Sequence, residues 1–505
     1  MNADRLTATP LSTASISTSQ TSVGSIARRM RQWAFTQPAL PAMSTTHLPP
    51  LSPPLHDGLP TRQRIAALIA LSLAVAMANL DTAITNTALP TIGRSIGADP
   101  ASVIWVVNAY QLAMIATLLP FASLGEIFGH RRIYIAGLIL FTASSLACGI
   151  AGSLPALAAS RALQGIGAAA IMSVNTALIR FAYPARLLGR GVGLNALVVA
   201  VSFTVGPTVA SAILSVTSWH WLFLINVPVG LLSVALAVRT LPITARARHD
   251  FDITAALLCA GCFALLILGL GTVSHDGLSP TVIAEWIVAA ACGYTLLKRQ
   301  AHHPAPLLAA DLFRLPVFSL SAATSVCSFA TQGLAFVSLP FFLQAGLGNS
   351  QVDTGFLMTP WPVVVAIMAP VAGRLADRYP AGILGTVGLS ILCIGMASLA
   401  MLPPAPSTLD IVWRMMMCGA GFGFFQAPNL KALMGSAPAE RSGGASGIVA
   451  TARLLGQTLG AALVALCFHV AGAGGPIVAL WAGSAFALAG TVISCLRQLP
   501  RWRRP

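Results

Sequence analysis

The chain has 505 residues, of which 56% are hydrophobic and only 9% charged, against about 25% charged in an ordinary soluble domain. So apolar a chain cannot clothe a water-facing surface, which excludes a string of soluble domains and makes lipid its main solvent. The net charge of +15 comes from 29 Lys and Arg against 14 Asp and Glu. These basic residues stand in short clusters between apolar runs, so they read as loop signals of a membrane protein, and no nucleic-acid partner is expected.

Residues 1–60 are rich in Ser, Thr and Pro, lack a helical apolar period and read as a disordered leader. Arg28, Arg29 and Arg31 lie among Ser residues, but no apolar segment with a cleavage site follows them. Met43 could begin a shorter leader, so a functional tail and an upstream start both stay open. From Arg62 onward fourteen apolar runs follow, at about 65–89, 101–121, 132–151, 155–179, 190–215, 221–241, 252–274, 280–297, 317–341, 353–373, 382–402, 409–430, 444–469 and 475–496. Most hold the roughly 20 residues that cross a bilayer as a helix. All nine Cys lie inside these runs; Cys259-Ala-Gly-Cys262 has CxxC spacing, but it stands within an apolar run with no Cys/His cluster around it, so neither a metal nor a disulfide is expected.

The basic residues orient the runs. With the N-terminus inside, the inner loops carry Arg131 and Arg132, Arg180, Arg186 and Arg190, Arg239, Arg246 and Arg248, Lys298, Arg299 and Arg314, Arg374 and Arg378, and Lys431 and Arg441, with Arg497, Arg501, Arg503 and Arg504 in the tail. The outer loops keep only Arg94. Arg161 and Arg414 fall just inside outer helix ends, and Arg453 lies within the thirteenth run. An even number of spans with both termini cytoplasmic fits this distribution.

The chain also repeats itself. Ala122 to Arg131 (ASLGEIFGHR) echoes Gly373 to Gly382 (GRLADRYPAG), and Arg190-Gly-Val-Gly193 echoes Arg441-Ser-Gly-Gly444, both 251 residues apart. A third echo pairs Arg161-Ala-Leu-Gln-Gly165 with Arg414-Met-Met-Met-Cys-Gly419. Runs one to six thus match runs nine to fourteen in the same orientation. The expectation is an all-α integral membrane protein with two six-helix bundles at 62–241 and 316–497, two inserted helices within 242–315, and a basic tail at 498–505.

Several motifs support this. Leu80-Asp81-Thr82 to Pro90 sets one carboxylate deep in an apolar run, where an unpaired charge costs several kcal/mol; Asp81 is therefore expected to face a water-filled cavity. Glu126, Gly129, Arg131 and Arg132 follow run two, and Gly373, Arg374, Asp377 and Arg378 follow run ten. Gly206 and Pro207 stand in run five, where Pro kinks a helix and Gly permits close packing. Trp219 to Gly230 opens run six and reads as architectural. Candidate cavity-lining groups are Asn108, Tyr110, Gln111, Asn175, Gln332, Gln426 and Arg453.

On these residues the chain resembles the fourteen-helix drug:proton antiporter branch of the major facilitator superfamily, over about residues 62–497. The resemblance implies proton coupling through Asp81 assisted by Arg161, gating by the two loop motifs, and an exporter's helix-5 element at Gly206-Pro207. It departs at Ala122 and Glu126, which replace Gly and Asp of the gating motif, and at Ser202, Ala210 and Ser211, which replace Gly of the helix-5 motif. It implies proton-driven export of small amphipathic or cationic compounds from the bacterial inner membrane, by a monomer alone or with a periplasmic adaptor. The proton gradient is the energy source and no cofactor is expected. Export of an endogenous metabolite stays open. A membrane enzyme is disfavoured because DxxD, HExxH and GxSxG are missing, and ATP-driven transport because GxxxxGK[ST] is missing.

Overall fold

A computed structural model describes residues 58–184, 187–244, 251–276, 279–300, 309–438 and 441–498. The leader expected over 1–60, apart from its last three residues, and the tail beyond Gln498 lie outside the described residues.

The first half comprises α1 (Thr61–Ile96), α2 (Pro100–Phe128), α3 (His130–Gly149), α4 (Leu154–Ala182), α5 (Leu188–Val216) and α6 (Trp221–Thr240). Then come α7 (Ile253–Asp276) and α8 (Pro280–Gln300). The second half comprises α9 (Pro316–Phe341), α10 (Gln351–Leu375), α11 (Ala381–Ala400), α12 (Thr408–Ser436), α13 (Ser442–Ala471) and α14 (Gly475–Leu496). Among the described residues, twelve stretches are long and apolar enough to cross a membrane; one, Gly444–Leu496, holds both α13 and α14, and α12 is outside the twelve.

Local chemistry sets the helix ends. The Asp99 carboxylate accepts from the backbone N–H of Ala101 and Ser102, both at 3.0 Å, and starts α2. Ser407 and Asp410 form a capping box at the start of α12. Between α2 and α3 the chain reverses at Gly129, whose φ of 97° is a left-handed conformation that a side chain resists. Large apolar side chains such as Ile139, Leu231, Ile287 and Ile394 are exposed on α3, α6, α8 and α11, a surface suited to lipid and not to water.

The sequence repeat is a packing repeat. In the first half α1 packs on α5 and α6, α3 on α4 and α6, and α2 on α4; in the second half α9 packs on α13 and α14, α11 on α12 and α14, and α10 on α12. Glycines make the equivalent crossings. A Cβ on Gly165 would collide with the Tyr110 carbonyl, and one on Gly419 with the Trp361 carbonyl. This contact corrects the third sequence echo: with Gly165 matched to Gly419, the counterpart of Arg161 is the fully buried Met415, not Arg414. Arg414 instead pairs with Asp410 one turn away and lies over the Trp413 ring. The inserted α7 and α8 pack on each other, and α7 lies against α2 and α13, beside the junction of the halves.

A bulky side chain at Gly419 must push two helix backbones apart. We expect Gly419→Val to cost about 1–3 kcal/mol and to lower the melting temperature of the detergent-purified protein. Gly435→Ala, where an added Cβ meets nothing within 4 Å, should leave that temperature unchanged.

Candidate functional site

Five helices of the first half converge on Asp81. Its Oδ2 accepts from the Arg161 guanidinium of α4 at 2.6 Å. Its Oδ1 accepts from the Gln164 amide of α4 at 3.0 Å and from the Asn226 amide of α6 at 2.8 Å. Arg161 also donates to the Val106 carbonyl of α2 at 3.0 Å and to Gln164 Oε1 at 2.6 Å, and its guanidinium lies 4.2 Å from the centre of the Tyr110 ring. Gln164 in turn donates to Ser145 of α3 at 2.8 Å. Asp81 and Arg161 are each about 1% exposed. A buried ion pair is tolerable only when the remaining hydrogen-bonding capacity is also met, and here backbone and amide groups meet it.

This placement corrects the expectation that Asp81 faces a water-filled cavity. The cavity lies one residue further on. It is a small, partly open space between Ala78, Asn79 and Thr82 of α1, Tyr110, Gln111 and Met114 of α2, Met172 of α4, Phe203 of α5, and Arg453, Leu454 and Gln457 of α13. Tyr110 is the partition, lining the cavity while its ring face carries Arg161. Asp81 is sealed behind it because the pair finds all its partners inside the first half.

Of the candidate lining residues, Tyr110, Gln111 and Arg453 do line this cavity. Asn108, Asn175, Gln332 and Gln426 do not. The Asn175 amide donates to Asn195 between α4 and α5, and Gln332 accepts from Gln457 at 3.0 Å. Asn108 is buried with its Oδ1 unpartnered, and Gln426 is half-buried on α12.

At the basic end of the bundles, the His130 N–H donates to the Thr244 hydroxyl beside Gly129, and Arg131 donates to the Val238 carbonyl at the end of α6. Glu126 and Arg132 are exposed there. Gly373 is half-buried and Arg374 and Arg378 are exposed on the second copy. Asp377 takes a partner the sequence did not suggest: Lys431 Nζ of α12 lies at 2.6 Å and also donates to the Ala376 carbonyl.

Hydrogen bonding from Lys431, followed by its charge, holds the Asp377 carboxyl below the usual carboxylate range. A carboxyl so depressed keeps its pairing above the ordinary Asp range and loses it only as pH falls through the lowered value. Across neutral pH Asp377 therefore holds constant charge. Asp377→Asn is expected to change the transport rate but not the pH midpoint of the transport profile, measured in vesicles buffered across the neutral range.

Gly206 and Pro207 sit where α5 crosses two helices. A Cβ on Gly206 would collide with Ala83 of α1, and a Cβ on Gly355 of α10 would collide with the Pro207 carbonyl and Ser211. This joint belongs to the charge-poor end, where three polar contacts among the described residues join the halves. Arg94 donates to Gln344 at 2.8 Å, the Thr208 and Thr359 hydroxyls are 2.9 Å apart, and Ser211 donates to the Gln351 carbonyl at 3.0 Å.

Two similarly packed helical halves around a cavity, with a buried ion pair behind its wall, define a membrane carrier. The chain belongs to the Major Facilitator Superfamily, whose family model matches residues 71–461; it is a multi-pass membrane transporter of small molecules and not an enzyme. It is 51% identical over 87% of its length to the "Uncharacterized transporter YebQ" of Escherichia coli K12, covering 97% of that protein. It is 32% identical over 80% of its length to the "Multidrug resistance protein Stp" of Mycobacterium tuberculosis (75% of that chain), and 29% identical over 81% to the "Riboflavin transporter RibZ" of Clostridioides difficile (89% of that chain). Among solved structures, a POT family transporter in complex with 5-aminolevulinic acid superposes with a TM-score of 0.67 at 13% identity, over 86% of this chain and 96% of that one, a likeness of fold.

Proposed function

We propose that the protein is a proton-driven exporter of small amphipathic compounds, working by alternating access as a monomer. The observation that carries this reading is the Asp81–Arg161 pair behind the wall of the cavity. Arg161 stays charged at any physiological pH, whereas a carboxyl can take up a proton. Protonating Asp81 removes half of the pair and weakens the joint between α1, α4 and α6, so proton binding and helix rearrangement share one site. The similarity to the multidrug resistance protein Stp supports an exporter of foreign compounds. The similarity to the riboflavin transporter RibZ favours a second reading, transport of an endogenous metabolite on the same scaffold.

The chain then crosses the bacterial inner membrane fourteen times, with the basic end and both termini in the cytoplasm. A reporter fused after Pro505 should be active only on the cytoplasmic side, and an external signal would overturn this topology. For the coupling, everted vesicles containing the protein should accumulate an amphipathic dye when acidified inside and lose it on adding a protonophore. Accumulation indifferent to the pH gradient would overturn proton coupling.

A further inference from the structure

The cavity wall carries a positive charge and no carboxylate. The wall's one guanidinium is Arg453, projecting from α13. Among the described residues no ion pair involves it, and its Nε is sealed from solvent without a hydrogen-bond partner. Asp81, behind Tyr110, is already neutralised by Arg161 and hydrogen-bonded on both oxygens, so it has no charge to spare for the cavity. On the α2 side of the wall Gln111 Oε1 is also buried without a partner.

We infer that the cavity takes a small organic anion with an apolar body, its acidic group held by Arg453. This inference rests on the carrier reading above and names its substrate class. Arg453 is half-buried with its Nε sealed, and a charge partly withdrawn from water is stabilised by an anion and hydrogen bonds that compensate it. The planar guanidinium fork matches a carboxylate or phosphate bidentately. Gln111 Oε1 is suited to a hydroxyl or amide donor on the same ligand, so one molecule would engage α2 of the first half and α13 of the second. Met114, Met172, Phe203 and Leu454 offer the apolar remainder of the wall. An ammonium compound would meet Arg453 as a like charge in a low-dielectric site and find no free carboxylate there.

The test uses the full chain, purified in detergent, and three probes with one apolar body: naphthylacetate, naphthylethanol and naphthylethylamine. Equilibrium dialysis should show the carboxylate binding about tenfold or more tightly than the alcohol, with the amine weakest. Arg453→Gln should bring the carboxylate down to the level of the alcohol, and Arg453→Lys should keep part of the preference. Binding that does not depend on the head group, a preference for the amine, or a carboxylate preference that survives Arg453→Gln would overturn the assignment. The carrier reading is judged separately, by counterflow of labelled naphthylacetate in proteoliposomes of the wild-type chain against liposomes without protein. Counterflow without a carboxylate preference would sink the anion site alone, and a carboxylate preference without counterflow would sink the carrier reading alone.

Discussion

Vesicles carrying Asp81→Asn should show no uphill accumulation at all, and the protein should also be less abundant. Asn keeps the acceptor for Gln164 and Asn226, but its charge is fixed at zero and it leaves Arg161 buried without a counter-charge. Removing one partner of a buried pair costs about 3–5 kcal/mol, a large share of a typical stability. Loss of transport in the single variant therefore confounds folding with coupling. The second half supplies the remedy. Its counterpart of Arg161 is Met415, fully buried, in a bundle with the same helix packing. The double variant Asp81→Asn/Arg161→Met removes both charges, a change that is often neutral or stabilising. It should recover abundance and melting temperature yet still fail to accumulate substrate against a pH gradient. Downhill exchange should persist, because the cavity wall is untouched. If the double variant still drives uphill export at the wild-type rate, Asp81 is a structural group only. The proton would then have to travel elsewhere.

How far this site could be read in advance follows from the cost of each group. Two opposite charges inside apolar runs have few ways to avoid a penalty, so Asp81 and Arg161 point to one another from the sequence, and they meet directly. Gly206-Pro207 and Gly129 were legible for a similar reason, since a close crossing and a left-handed turn each demand a particular residue. Gln164 and Asn226 were missed because a neutral amide can satisfy itself against any nearby backbone, and the sequence holds many of them. The only signal available for Gln164 was its place three residues after Arg161, on the same helix face. Lys431 reads in the sequence as a loop charge, although it stands on α12 beside Asp377. Whether Asp81 is wet or sealed depends on how Tyr110 and the α6 amide close over it, and no local pattern encodes that. The helical architecture and its repeat were legible in periodicity and echoes, whereas the match of Arg161 to Met415 needed the glycine crossings.

Joining α5 to α10 should abolish transport as completely as removing the charge. The Thr208 and Thr359 hydroxyls are 2.9 Å apart across the two halves, so a cysteine pair there needs to close by only about 1 Å to reach disulfide length. None of the nine native cysteines lies on α5 or α10, so each single-cysteine variant is a clean control. Oxidised Thr208→Cys/Thr359→Cys protein should hold the charge-poor end shut and lose both uphill accumulation and downhill exchange, since either requires that end to open. Reduction should restore both, because each hydroxyl lost belongs to one weak contact among three. Gly355→Val works in the opposite sense. Its side chain would collide with Ser211 and the Pro207 carbonyl, so the same end could not close. The two blocked proteins are separable by placing a cysteine at Thr82, on the cavity wall, and labelling it with a membrane-impermeant maleimide. From the charge-poor side the oxidised pair should protect that cysteine, and Gly355→Val should expose it. If the oxidised pair still transports, α5 and α10 do not part during the cycle, and the opening of that end must be sought at the Arg94–Gln344 contact instead.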